Sequence, residues 1–399
     1  MHTDQGYRPA SSGRPGVRVR LYEYQKNGGY FAQVAAEMVS QAEDELASLG
    51  AASIRPVHRG IHFETDLMGL LRITYHTRLA TTILAPLSRF RCHAPKYLYK
   101  KARLLAWQDL ISGARTFAVS ASVANSRIRH SRYAALKLKD AVVDTIRDAT
   151  ATRPDVDRRD PDVRIVLHIE NNMATILLDV SGGSLHRRGY RTRTVEAPMQ
   201  ETLAAAVIRL TQWDGSVPLV DPMCGSGTLL CEALLSFCRT PSQFLRTRFG
   251  FELLPEFDPH AWRRVREEAG RAIRSLPPGL IAGSDIALTA VRAARANLDR
   301  LPHGSAVQVR RSDFLDIASL EEAAIVCNPP YGIRLGSSKE AGDLYRVFGD
   351  FLKQRCRGSS AYVYFGDPGL IPAIGLRPAW KRPLKNGALD GRLARFDIY

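Results

Sequence analysis

Two short motifs carry side chains suited to chemistry. The first, Asp221-Pro222-Met223-Cys224-Gly225-Ser226-Gly227-Thr228, follows the apolar pair Leu219-Val220; the second, Asn328-Pro329-Pro330-Tyr331-Gly332, follows the apolar run from Ala323 to Cys327 about a hundred residues later. A strand that turns through two glycines into a helix offers unpaired backbone N–H groups and lets a ligand approach the main chain closely. A dinucleotide pyrophosphate is the first ligand to consider. However, position 230 is leucine where the G-x-G-x-x-G fingerprint needs glycine, and no Lys-Ser or Lys-Thr follows as a P-loop requires. Asp221 would repel a phosphate but can accept a hydrogen bond from a cationic amino-acid moiety. The first motif therefore suits S-adenosylmethionine better than NAD.

The second motif suits an amine. Two prolines stiffen the turn after Asn328 and remove two backbone donors, leaving acceptors free. The Asn328 side-chain oxygen and the Pro329 carbonyl can take the two hydrogens of an exocyclic amino group and aim its lone pair at a sulfonium methyl. No strong base is then needed, because the nitrogen becomes acidic only after transfer. Tyr331 can stack on the held base. A plain proline-rich turn is the competing reading.

These residues need a scaffold that brings strand ends together. Leu219-Val220, Leu280–Asp285, Ala306–Val309 leading to Asp313, and Ala323–Cys327 leading to Asn328 all read as buried strands with polar residues at their C-termini. In an open parallel sheet the ligand crevice lies outside those ends. Asp285, followed by Ile286, can accept two ribose hydroxyls, and Asp313, followed by Phe314, the adenine amino group; helix capping is the alternative for both carboxylates. Thr228 to Leu235 reads as the helix after the glycine turn. About 50 residues separate Gly227 from Gly283, more than one helix and a loop need, so an insertion is expected. Its segment from Phe244 to Ile273 is aromatic and basic, readable as an RNA contact or as a packed extra helix with a solvated face.

From Ala197 to Tyr399 the chain resembles a class I S-adenosylmethionine-dependent methyltransferase of the amino-methylating kind. Leu185-His186-Arg187-Arg188-Gly189-Tyr190-Arg191 and Glu196-Ala197-Pro198-Met199-Gln200-Glu201 resemble the segment that joins THUMP RNA-binding domains to guanine-N2 methyltransferases. The resemblance implies that Pro198 and Glu201 help to close over the methionine part of the cofactor. Asn386 to Leu393 looks like the final strand of the bacterial large-subunit ribosomal RNA enzymes. The implied substrate is a guanine N2 amine in 23S ribosomal RNA, with transfer RNA as the alternative. A DNA amino-methyltransferase and a catalytically silent RNA-binding module rank lower.

The first half carries the charge. Residues 1–200 hold 30 Lys and Arg against 19 Asp and Glu, and the whole chain has a formal net charge of +16. Residues 51–139 hold 16 basic side chains against Glu64, Asp66 and Asp109 alone. That balance favours a polyanion. Arg127, Arg129, His130, Arg132, Lys137 and Lys139 surround Tyr133 at the entry to an amphipathic helix and, with Arg188 and Arg191, are the candidate RNA contacts. His130 to Val142, with strands at 117–119, 163–167 and 174–178, resembles the core of a THUMP domain. Val34, Met38, Ala42 and Leu46 have helical spacing ahead of Gly50, fitting the small ferredoxin-like subdomain of that family.

The expected fold is α/β. A Rossmann-like, seven-stranded, mostly parallel sheet with helices on both faces follows an α+β ferredoxin-like and THUMP region. The expected divisions are a disordered basic tail at 1–20, a ferredoxin-like subdomain at 21–75, a THUMP domain at 76–181, a linker at 182–197 and a methyltransferase domain at 198–399. No apolar stretch approaches the ~20 residues of a membrane span, and a cytosolic monomer is expected. Six cysteines form no C-x-x-C pair, so neither zinc nor a disulfide framework is expected.

Overall fold

A computed structural model describes residues 21–192, 199–330, 338–387 and 389–399. The expectations for the tail, Pro198 and Tyr331 lie outside the described residues. The chain forms two seven-stranded sheets. The first contains β1 (Gly29–Val34), β2 (Ala52–Val57), β3 (Gly60–Glu64), β4 (Ala80–Arg91), β5 (Phe117–Ala124), β6 (Val163–Glu170) and β7 (Met173–Asp179), with α1 (Glu23–Asn27), α2 (Val39–Ser48), α3 (Leu67–His76), α4 (Pro95–Ala102) and α5 (Ser131–Thr150) between them. Its order is β2-β3-β1-β4-β7-β6-β5. The twelve-residue β4 pairs with β1 along its first half and with β7 further on, so one sheet runs across position 75/76. Tyr30, Ala32, Ile61, Phe63, Ile165, Leu167, Ile176 and Leu178 alternate into a core with Leu70, Leu98, Leu138 and Val142 from the helices. Val34 ends β1 and the helix starts at Val39, so of the expected helical set only Ala42 and Leu46 lie in it, with Met38 in the turn before its start. The extended backbone of Ala35 intervenes.

The second sheet contains β8 (Leu219–Asp221), β9 (Ile281–Asp285), β10 (Gln308–Arg311), β11 (Ala324–Cys327), β12 (Ser360–Phe365), β13 (Trp380–Pro383) and β14 (Arg392–Asp397), flanked by α6 (Glu201–Thr211), α7 (Thr228–Phe237), α8 (Pro259–Ala272), α9 (Leu288–Leu298) and α10 (Ser338–Arg355). Its order is β10-β9-β8-β11-β12-β14-β13, parallel except for β14, which runs against both of its neighbours. The central strands are buried on both faces, as parallel strands covered by helices must be. Val326, Tyr362 and Tyr364 point into the core shared with the first sheet, while Ile325, Cys327, Val363 and Phe365 point into a second core with Phe348, Phe351 and Leu352 of α10. The final strand begins at Arg392; Asn386 and Leu389 instead pair across a turn.

The inserted segment packs the two sheets together. Trp262 of α8 lies 5.1 Å from Tyr75, 5.2 Å from Phe249 and 5.1 Å from Phe251, ring centre to ring centre. Arg263, Arg264, Arg266, Glu267 and Glu268 occupy its exposed side. The stretch forms a packed helix whose charged face is exposed. Beside it, Arg78 donates through Nη2 to the carbonyls of Leu235 (2.8 Å) and Thr240 (2.7 Å), crossing from the first sheet to α7.

Candidate active site

Strand order in the second sheet reverses between β8 and β11, and a parallel sheet opens its ligand crevice at such a switch. The two chemical motifs end the two strands that flank it. Val220 lies opposite Ile325, so Asp221 and Asn328 emerge from neighbouring strands at the same end.

The glycine turn is held from several sides. Gly225 and Gly227 have φ of 54° and 78°, a region that favours glycine. A Cβ at Gly227 would sit 3.0 Å from the Ala294 Cβ. The Gly225 amide donates to Asp285 Oδ2 (2.9 Å), and Asn297 Nδ2 donates to the Ser226 carbonyl (3.0 Å). The amide of Cys224 donates to the Ser284 carbonyl at 2.9 Å, and the Ser284 hydroxyl contacts the Pro222 carbonyl at 3.4 Å. Leu230, at the position of the absent third glycine, fits because the facing residue is Gly283, where a Cβ would fall 2.6 Å from Leu230 Cδ1. The close helix-to-strand approach is kept, with the glycine moved to the strand.

Asp221 is 1% exposed, its Oδ1 accepts from the Met223 amide at 3.1 Å, and burial, reinforced by the charge of Asp285, pushes its carboxyl up to about 8. The Cys327 thiol at the end of β11 partly offsets that rise. Burial raises the thiols of Cys224 and Cys327 well above their usual range, so both are inert packing groups. Asp285 also accepts from the Ala287 amide (2.9 Å), and Asp313 accepts from the Leu315 amide (3.0 Å). Both carboxylates therefore cap the turns that follow them, and lone pairs remain for a ligand. Ile286 is 63% exposed directly beyond β9, whereas Phe314 is packed 5.4 Å from both Phe348 and Phe351 and belongs to the core. The Asn328 Oδ1 atom is buried without a hydrogen-bond partner among the described residues, and Pro329 is buried beside it.

Arg188 and Arg191, expected as RNA contacts, are turned into the protein and paired there. Arg188 is 1% exposed, pairs with Glu232 at 3.3 Å and donates to the Leu185 and Arg78 carbonyls. Arg191 donates to the Met199 carbonyl (2.7 Å) and Thr228 Oγ1 (3.1 Å) and pairs with the buried Glu201 at 3.6 Å. The linker arginines thus fasten the glycine turn and α6. Arg191 therefore braces the glycine turn instead of the RNA contact expected of it, and Asn297 is a site residue that the sequence marks only as a lone amide on the apolar face of Ala290, Ala293 and Ala294. Arg127, Arg129, His130 and Arg132 are exposed around the start of α5, while Lys137 and Lys139 share Asp140 at 3.8 and 2.9 Å. Among the described residues no group of three or more His, Cys, Asp or Glu is placed to hold a metal, and no helix is long and apolar enough to cross a membrane.

This donor set fits S-adenosylmethionine. The buried Asp221 carboxyl can receive a cationic amine, Asp285 can receive ribose hydroxyls, and exposed Ile286 offers an apolar surface for a purine. Fold and site together define a class I S-adenosylmethionine-dependent methyltransferase domain carried behind an α+β sheet domain. The chain belongs to the RMKL-like methyltransferase domain family, matched over residues 188–395, and it carries a THUMP domain over residues 95–179. It is 36% identical over 93% of its length, and 97% of the relative's, to the Putative RNA methyltransferase slr0064 of Synechocystis sp.. It is 37% identical over 92% of its length to the Ribosomal RNA large subunit methyltransferase K/L of Syntrophotalea carbinolica, and spans only 53% of that longer protein. Among solved structures, SMU.472 in complex with SAH matches 94% of this chain and 98% of its own, with a TM-score of 0.82 and 25% identity. A predicted N6-adenine-specific DNA methylase from Listeria monocytogenes matches 94% of this chain and 97% of its own, with a TM-score of 0.82 and 26% identity.

Proposed function

We propose that the protein methylates the exocyclic N2 amine of a guanine in large-subunit ribosomal RNA. The observation that carries the acceptor assignment is the buried Oδ1 of Asn328 at the sheet's switch point, which has no hydrogen-bond partner among the described residues. An orphaned buried acceptor costs about 1–3 kcal/mol, a cost that a bound N–H donor removes. Ribosomal RNA as the substrate is supported by the names of the relatives and by the THUMP domain. In this reading residues 21–181 dock RNA and residues 198–399 carry out transfer.

When bound, S-adenosylmethionine supplies an electrophilic methyl on sulfur. The chain's part is orientation: Asn328 Oδ1 and the Pro329 carbonyl accept the two amine hydrogens, and the lone pair left on nitrogen points at the methyl. With the methyl transferred, the amine nitrogen would be cationic and acidic, and it would give up one proton directly to water while Asn328 Oδ1 and the Pro329 carbonyl hold its position. Asn328 stays neutral throughout, so it never competes for a proton with the amine. The target base is flipped from its stack, at a cost of a few kcal/mol that phosphate contacts offset.

The test incubates the protein and labelled S-adenosylmethionine with total RNA from a strain lacking the gene, then identifies the modified nucleoside and the RNA that carries it. N2-methylguanosine in 23S RNA is expected. Label confined to transfer RNA or to DNA would reassign the substrate, and a different methylated nucleoside would reassign the acceptor.

A further inference from the structure

Among the described residues, helices cover only one face of the first sheet. Its apolar positions and its helices lie on one side, and the outward positions of all seven strands form an open concavity of about 1440 Å³. That is larger than the ~300–1,000 Å³ of a small-ligand pocket. Pairing registers align its residues in rows. Arg55, His62, Phe31 and Leu84 follow one another across β2, β3, β1 and β4, while Arg89, Thr175, His168 and Ser122 follow across β4, β7, β6 and β5. The His62 and Phe31 rings lie 4.9 Å apart, with His62 exposed. Small residues, Thr82, Ala118, Ser120 and Ser122, form much of the floor.

The charge around this floor is one-sided. Seven Lys and Arg side chains line it against three carboxylates, and one of those, Asp179, is 5% exposed with its oxygens taken by the Ser181 and Gly183 amides. Arg132 and Lys139 of α5 form one rim; Arg55, Arg59 and Arg89 come from strands and a turn before residue 95, where the THUMP match begins. Partial loss of hydration against the sheet, then Arg55 and Arg89, lowers the His62 imidazole below its usual range, which favours the neutral ring.

We infer that this open face, built jointly by the THUMP strands and the strands before them, holds an unpaired RNA segment with a base on the His62–Phe31 pair and phosphates on the arginine rim. The inference rests on the RNA reading above. A flat floor of small side chains, two rings and a basic border is the arrangement that binds single strands, whose bases are free to stack. A duplex keeps its bases stacked inside and would reach only the rim.

The experiment measures fluorescence anisotropy of the whole chain with a labelled single-stranded RNA of about 12 nucleotides and with the same strand annealed to its complement. The expected result is tighter binding of the single strand, weakened at least about tenfold by Arg55→Glu with Arg89→Glu and accompanied by a shallower salt dependence. His62→Ala should weaken the single strand by about tenfold, within the range of a lost base stack, and leave duplex binding unchanged. Calorimetry with S-adenosylmethionine should give wild-type affinity for each variant, showing an intact catalytic half. Wild-type RNA binding by these variants, or duplex bound as tightly as single strand, overturns the inference. Single-strand binding through these residues without RNA methylation sinks the proposed function alone. Equal methylation by wild type and the double variant at limiting RNA sinks this surface alone.

Discussion

Asp285 Oδ2 accepts a hydrogen bond from the Gly225 amide at 2.9 Å, so the end of β9 holds the glycine turn after β8 in its ligand-ready shape. The same carboxylate braces the turn before α9 through the Ala287 amide, and in the proposed site it receives the ribose hydroxyls. Asp285→Ala should therefore weaken S-adenosylmethionine binding by about tenfold or more, on the ~1.5–3 kcal/mol of a hydrogen bond to a charged group. Asp285→Asn, which retains one acceptor, should fall between. Calorimetric Kd values for the two variants check this ordering.

Removing the orphaned acceptor should separate binding from transfer. Asn328→Ala should leave the cofactor Kd within about twofold of wild type and lower kcat by at least about 100-fold, because positioning accounts for several kcal/mol of such a barrier. Single-turnover transfer from labelled cofactor measures it, and unchanged turnover would remove Asn328 from the mechanism.

Asp221 makes cofactor binding pH-dependent. Its folded pKa, raised to about 8 from 3.8, leaves the carboxyl protonated at pH 7 without ligand, and a cation beside it favours the ionised form. Binding at pH 7 should release protons, seen as a calorimetric enthalpy that varies with buffer ionisation enthalpy, and affinity should rise towards pH 8. Asp221→Asn should abolish both effects. The sign for stability is opposite. Because the folded state binds more protons than the unfolded one between pH 3.8 and about 8, this group's contribution falls as pH rises through that window.

The buried Arg188–Glu232 pair ties the linker to α7, with Tyr190 donating to the same Glu232 oxygen at 3.1 Å. Arg188→Ala leaves a carboxylate without its charge partner and should cost about 3–5 kcal/mol. A lowered denaturation midpoint, with Arg127→Ala as an exposed control near wild type, is the expected pattern.

Gly283→Ala should destabilise by about 1–3 kcal/mol, since its Cβ would fall 2.6 Å from Leu230 Cδ1. Leu230→Ala in the same chain should relieve part of that cost. A double-mutant cycle showing strict additivity would remove the packing explanation.

The amino-acid sequence by itself determined the catalytic sheet. Its strands are short apolar runs that end in Asp221, Asp285 and Asn328, and local pattern is enough to place a polar residue at a strand's C-terminus. Length and apolar content likewise exposed the insertion between Gly227 and Gly283. Only the tertiary structure decided which basic residues are free. Arg188 and Arg191 look like Arg127 in the sequence, yet they are buried against Glu232 and Glu201 because the linker runs between the two domains. The reverse holds for Arg55, His62 and Arg89, which are scattered over three strands and meet only through registers that long-range pairing sets. Side-chain type is local, but burial and neighbourhood depend on contacts between residues far apart in the chain, as Leu230 and Gly283 also show.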